Sequence, residues 1–269
     1  MEANDYAQMQ RVLMDELRLL HYPIAIKYFF DAKELEAFKK GPGYHVPVKP
    51  LTFCQAEIGA RMEGLSVLIE PDKLGCTNAK YVFGWKSMDE GEVKSHLKYT
   101  QNRDQAERYV LSKPRIAEGQ LLAVAVAPLA GAAYTPDVVH FYCDSMQAYH
   151  LTTDWMAVMD VHPLKASMTA NSAACGGNVY AWQEKTANVF LPCSGNYNAG
   201  KMERGEINVS IPGADLPLMI ERLLERKRTT GGASITRLGD PYPGADICKN
   251  CPLIAFKKAG GEEPRPGGA

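Results

Sequence analysis

The 269-residue sequence predicts an α/β fold, a single domain with a central mixed sheet flanked by helices. Three observations carry this expectation. Hydrophobic residues make up 46% of the chain, enough at this length for a sizeable core. Segments with apolar residues at helical spacing alternate with short runs rich in β-branched and aromatic residues. Neither a repeat at solenoid periods nor an internal linker interrupts the chain, so residues 1–256 are expected to form the domain, with a C-terminal subdomain from about residue 167 as the alternative. Residues 257–269, made of Gly, Pro and charge, are expected to fray.

Met9, Val12, Leu13, Leu17 and Leu20 recur at helical spacing over residues 5–20, with Glu16 and Arg18 opposite, and Pro23 ends this first helix. Residues 24–30 (IAIKYFF) read as a strand. Gly41, Pro42, Gly43, Pro47 and Pro50 make residues 39–50 a loop, and a loop of that length suggests service to a site. It delivers the chain to Cys54. Residues 51–62 suit a helix with Cys54 in its first turn, residues 67–69 a short strand, and Gly75, Cys76 and Thr77 a turn. Residues 92–111 read mostly as helix, 121–127 as a fully buried strand, and 138–142 as a strand leading to a helix that starts near Asp144. Residues 189–191 are strand-like, and 207–211 alternate apolar and polar. The clearest helix spans 215–228, with Leu216, Met219, Ile220, Leu223 and Leu224 on one face. Asp215 is its expected N-cap, Pro217 sits where a missing N–H does no harm, and Gly231 lies past the end.

Several function classes are disfavoured by composition. The 30 basic and 31 acidic residues nearly cancel and neither sign forms a block of five or more, so no nucleic-acid or membrane-surface footprint is visible. The longest apolar run, residues 121–133, is interrupted by Pro128 and falls short of the roughly 20 residues of a membrane span. The first residues lack the basic and apolar regions of a signal peptide, which predicts a cytoplasmic protein. No G-x-G-x-x-G follows an expected strand, which argues against a nicotinamide or flavin site of that type.

Seven cysteines are the compositional oddity. In a reducing compartment cysteine pairs serve metals or thiol chemistry more often than structural disulfides. Cys248-Lys249-Asn250-Cys251-Pro252 is the strongest local signal, because a C-x-x-C loop brings two thiolates to one metal at little entropic cost. A redox pair is the competing reading. Cys175 precedes Gly176 and Gly177, and Cys193 precedes Ser194 and Gly195; glycines let backbone approach an inorganic core closely. Cys54 and Cys76 complete six candidate ligands. A single free cysteine is more commonly a small buried hydrophobe, and Cys143, close to His140 at a strand-to-helix junction, is expected to be one. Its alternative is a helix-N-terminal thiol of lowered pKa. Structural zinc favours two close cysteine pairs, and this chain has one; the histidines form no H-x-x-x-H. The spread of single cysteines therefore favours an iron–sulfur cluster over zinc.

Residues 195–201 (GNYNAGK) nearly spell a phosphate-binding loop, but Met202 stands where Mg²⁺ ligation needs Ser or Thr, so nucleotide hydrolysis is rejected. Asn196, Tyr197 and Lys201 follow Cys193 directly and are candidates for a substrate pocket beside it; a solvated loop, continuing through Asn198, Glu203 and Arg204, is the alternative.

Taken in order, Tyr22-Pro23-Ile24-Ala25-Ile26-Lys27-Tyr28-Phe29, Leu51-Thr52-Phe53-Cys54-Gln55-Ala56, Gly75-Cys76, Cys175-Gly176-Gly177, Leu191-Pro192-Cys193-Ser194-Gly195 and Glu206-Ile207 leading to Ile211-Pro212 resemble the prokaryotic family called domain of unknown function 169. The resemblance spans about residues 22–224. It implies no assigned activity, and its anaerobic and archaeal flavour suits an oxygen-sensitive cluster. The family-like ligand set is Cys54, Cys76, Cys175 and Cys193. The set built on the chelating pair is Cys175, Cys193, Cys248 and Cys251, and sequence does not choose between them.

Three functions follow as expectations. The first is an iron–sulfur oxidoreductase or cluster-dependent lyase or desulfidase, whose 4Fe-4S cluster meets a small anionic substrate oriented by Asn196, Tyr197 and Lys201. The second is an electron carrier or cofactor-binding partner in a larger redox complex. The third is a structural-zinc domain. Whether a tetrapyrrole or other second cofactor shares the site is open, as is the oligomeric state.

Overall fold

The computed structural model describes residues 5–229, which all belong to one compact unit, Met1–Ala233. Its elements run α1 (Tyr6–Leu17), β1 (Ile24–Phe29), α2 (Ala32–Lys39), α3 (Phe53–Glu63), β2 (Val67–Ile69), α4 (Thr77–Val82), α5 (Glu90–His96), α6 (Arg103–Leu111), β3 (Ala123–Pro128), β4 (Val138–Cys143), α7 (Ser145–Met159), α8 (Ala173–Glu184), β5 (Asn188–Phe190), α9 (Ser194–Asn198), β6 (Ile207–Pro212) and α10 (Leu216–Thr229). The six strands form one sheet in the order β2-β3-β1-β4-β6-β5. The α/β class holds, but every neighbouring pair is antiparallel, so the sheet is not mixed. The helical connections β1 to β2 and β4 to β5 each skip one strand to a strand running the same way, and the strand between them, β3 or β6, fills the gap antiparallel to both.

Strand alternation decides which residues meet which helices. Ile24, Ile26 and Tyr28 of β1, Val124 and Val126 of β3, and Val138 and Tyr142 of β4 share one cluster with Phe53, Ala56 and Ala60 of α3 and with Val179 and Ala181 of α8. In the register of β4 and β6, His140 lies opposite Ser210 and Tyr142 opposite Asn208, which puts four polar residues on that same face. Val209 and Ile211 point to the other face, where α7 packs on β6 and on α10.

Local chemistry explains most boundaries. Asp5 accepts from the Gln8 N–H at the start of α1. Thr52 and Gln55 form a reciprocal capping box at α3, and Asp144 and Gln147 do the same at α7. Gly64, at φ 70°, ends α3 in a left-handed conformation that glycine adopts without a Cβ penalty.

Four differences from the sequence expectations have physical causes. The short helix α2 buries only Leu35, too little to make a hydrophobic period, and is fixed instead by Asp31, which accepts from the N–H groups of Lys33 and Glu34. Residues 92–111 are not one helix: a turn at Leu97–Tyr99 separates α5 from α6, and Asn102 caps the second by accepting from Gln105. Asp215 does not cap α10 but accepts from the Trp155 indole N–H at 2.9 Å. The polar positions of β6, Asn208 and Ser210, are fully buried rather than solvent-facing.

Candidate functional site

Each of four cysteines stands at the start of a helix. Cys54 is the second residue of α3, Cys76 the N-cap of α4, Cys175 the third residue of α8, and Cys193 the N-cap of α9. These starts converge, and all four side chains line one cavity of about 120 Å³. A single water needs roughly 10–15 Å³ on the same measure, so the space exceeds one ion with one water. Gly195 shows how closely backbone approaches: a Cβ there would lie 3.4 Å from Cys193 Sγ and 3.8 Å from Cys54 Sγ, inside the cavity. Helix starts supply free N–H groups and, for the three-turn helices α3 and α8, the positive end of the macrodipole, both of which favour negative charge.

Three of the four thiols, Cys54, Cys76 and Cys175, are pushed toward their protonated form. Burial pushes Cys54 and Cys175 well above the ordinary thiol value and Cys76 less far, because the Asn78 and Ala79 N–H groups point at its sulfur. Deprotonating several buried sulfurs together needs a compensating cation, which is what metal binding provides. Among the described residues no three or more His, Cys, Asp or Glu side chains are grouped to hold a single metal ion. The sulfurs surround a void instead of a point. A mononuclear zinc needs every sulfur about 2.3 Å from one centre.

One wall of the cavity is backed by a buried cation. Lys113, with its side chain 0% exposed, donates to the Ser172 hydroxyl at 3.2 Å and faces Glu92 at 3.5 Å. Ser172 lies on the cavity wall at φ 59°, a strained conformation for a residue with a Cβ. Its carbonyl accepts from Cys175 Sγ at 3.5 Å, and its hydroxyl donates to Asn171 Oδ1.

Behind Cys193 lies a polar network closed to water. Tyr142 donates to Glu57 Oε2 at 2.6 Å, and His140 Nδ1 lies 2.7 Å from Glu57 Oε1. Asn196 donates to the Tyr142 hydroxyl at 3.2 Å, and its Oδ1 accepts from the Cys193 N–H at 3.2 Å. On the sheet side Ser210 donates to Asn178, and His140 Nε2 meets Asn208. Arg61 stacks on the Tyr142 ring at 4.2 Å and donates to the carbonyls of Gly200 and Lys201, tying α3 to the segment after α9. The alternation of β6 was the sequence signal for Asn208 and Ser210. Nothing local marked Glu57, Arg61, Lys113 or Ser172.

The structure thus brings together Cys54, Cys76, Cys175 and Cys193. Cys248 and Cys251 lie outside the described residues. None of the pocket candidates Asn196, Tyr197 and Lys201 is on the cavity wall, although Asn196 is fully buried behind it and braces Cys193. Tyr197 is 43% exposed, and Lys201 meets Arg61 only through its carbonyl. Gly177 does not face the sulfurs either, since it packs on the Phe190 ring. Cys143 is a core residue: it is buried, burial pushes its thiol up, and its sulfur donates to the Ile207 carbonyl. The lowered-pKa alternative fails for that reason.

Among the described residues no helix is long and apolar enough to cross a membrane. No curated protein and no solved structure matches the chain. The profile of one family, DUF169, described as Uncharacterised ArCR, matches residues 12–222, a span that contains all four cavity cysteines and neither Cys248 nor Cys251. The chain belongs to the DUF169 family.

Proposed function

We propose that the chain holds a 4Fe-4S cluster through Cys54, Cys76, Cys175 and Cys193 and works in the cytoplasm as a one-electron redox protein, an electron carrier or the cluster-bearing partner of a larger redox system. The observation that carries this reading is the convergence of cysteines from four separate helix starts on one cavity. The donor set fits the group: four soft sulfur ligands, a glycine at Gly195 whose missing Cβ leaves room beside two sulfurs, and surrounding N–H groups. When bound, such a group supplies one-electron transfer at a potential set by local charge, hydrogen bonds to sulfur and exposure.

Burial of Cys175 and Cys193 limits water near the sulfurs, and Asn196 and Arg61 keep the α9 side of the cavity in place. A lyase or desulfidase role would require an open iron and side chains reaching it. Four thiols leave no ligand position short, and Tyr197 and Lys201 lie off the wall, which favours the electron-transfer role.

Anaerobic purification followed by iron, zinc and acid-labile sulfide analysis tests the reading. About four irons and four sulfides per chain are expected, with broad visible absorption that bleaches in air. Cys175→Ser and Cys193→Ser should each lose the iron, and the double variant Cys248→Ser, Cys251→Ser should keep it. Stoichiometric zinc without colour, or full iron in both single variants, would overturn the proposal.

A further inference from the structure

We propose that Lys113 is the proton partner of the electron at the cysteine site: as one electron enters from a one-electron reductant, one proton passes from solvent to the Lys113 amine. The inference rests on the cluster reading above and deepens it, by making the transfer a proton-coupled one.

The argument begins with placement. Lys113 follows the end of α6, and its side chain is fully enclosed against the back of the cavity wall. Its nitrogen reaches the Ser172 hydroxyl, and Ser172 in turn lies on the wall and takes the Cys175 sulfur contact, so two short links join ammonium to sulfur. The groups facing Lys113 come from every neighbouring element. Glu92 of α5 is its carboxylate, at 3.5 Å; Tyr81 of α4 and Tyr109 of α6 present rings at 5.8 and 5.9 Å; Cys175 and Cys76 act on its charge through space, without touching it. Arg115 covers the Tyr81 ring, and His96 is engaged with Asn171.

A lysine in this position is poised to respond. Burial lowers its pKa from the ordinary value, the chief cause being lost hydration, while Glu92 and then Cys175 pull it back up. The same ammonium pulls the Cys175 thiol down, against burial and the nearby sulfurs, which push it up. An added electron on the sulfur side strengthens the upward pull in a poorly screened interior, so the amine binds its proton more tightly when the site is reduced. Between the lower affinity of the oxidised state and the higher affinity of the reduced state, electron and proton arrive together. Because burial has lowered the starting value, that window opens below the usual lysine range.

The test is the midpoint potential of the iron-loaded chain, measured by dithionite titration with optical and electron paramagnetic readout from about pH 6 to about pH 10. The wild-type potential should fall on the alkaline side by about 59 mV per pH unit, a tenfold change in equilibrium for one electron. Lys113→Arg, whose guanidinium keeps its charge throughout, should hold a high potential that no longer depends on pH. Lys113→Met should lie at a lower potential than Lys113→Arg at every pH. The double variant Lys113→Met, Glu92→Gln leaves no lone buried carboxylate and keeps the comparison available if the single variant folds poorly. Iron and sulfide are counted in every sample. Loaded chains whose potentials ignore both pH and residue 113 would overturn this inference alone. A wild-type chain that takes up no iron and sulfide would overturn the cluster reading and this inference with it.

Discussion

Glu57 shows how a single residue can connect a core to a site. Its carboxylate is fully buried on α3, one turn after Cys54, and is satisfied by Tyr142, His140 and Asn178. A buried carboxylate left without donors is costly, so these partners are obligatory and fix the rotamers around them. Tyr142 has a double duty: its hydroxyl proton goes to Glu57, which leaves its oxygen to accept from Asn196, and Asn196 holds the Cys193 backbone. Tyr142→Phe should therefore destabilise the chain by about 1–3 kcal/mol through two orphaned polar groups. Urea unfolding checks this. A loss well under 1 kcal/mol would mean that water enters and satisfies them.

At the scale of elements, four helix starts do the gathering, and their packing is tight where glycine occurs. Gly177 in α8 meets the Phe190 ring of β5, and a Cβ at that position would come within 2.5 Å of it. Alanine in a helix interior ordinarily gains about 0.5–1 kcal/mol over glycine. Here overpacking costs about 1–3 kcal/mol and reverses the sign. Gly177→Ala should lower the urea midpoint, and Phe190→Leu should restore part of the loss in the double variant. A stabilised Gly177→Ala would show that the ring moves aside freely. The same packing explains Gly177, two residues after Cys175: the sequence expectation set it against an inorganic core, whereas it serves the seam between α8 and β5.

For the whole molecule, the sulfurs come from positions 54, 76, 175 and 193, so the site exists only when α3, α4, α8 and α9 are all in place. In the metal-free chain the thiols of Cys54, Cys76 and Cys175 are raised by burial. The folded state then keeps protons that the unfolded chain releases above the ordinary thiol value of about 8.5. That contribution is full below this pH and is lost as pH rises toward the raised folded values. The metal-free chain should show a urea midpoint that falls from about pH 8 to about pH 10, and the metal-loaded chain a flatter profile, its sulfurs being already deprotonated. A metal-free midpoint that ignores pH would show that the thiols reach solvent.

By itself the sequence determined the elements whose signals are local. Period 3.6 marked α1 and α10, short apolar runs marked β1, β2, β3 and β4, and the motifs around Cys54, Cys76, Cys175 and Cys193 marked the family and four cysteines that line one cavity. Only the tertiary structure decided that the sheet is antiparallel, because strand direction depends on where connections return the chain. It also decided which cysteines meet. Four residues spread over 140 positions share a cavity only through the packing of four helices, and no spacing rule reports that distance. Glu57, Arg61 and Lys113 were opaque for the same reason: in sequence they resemble surface residues, and burial beside a partner far along the chain is a property of the fold alone.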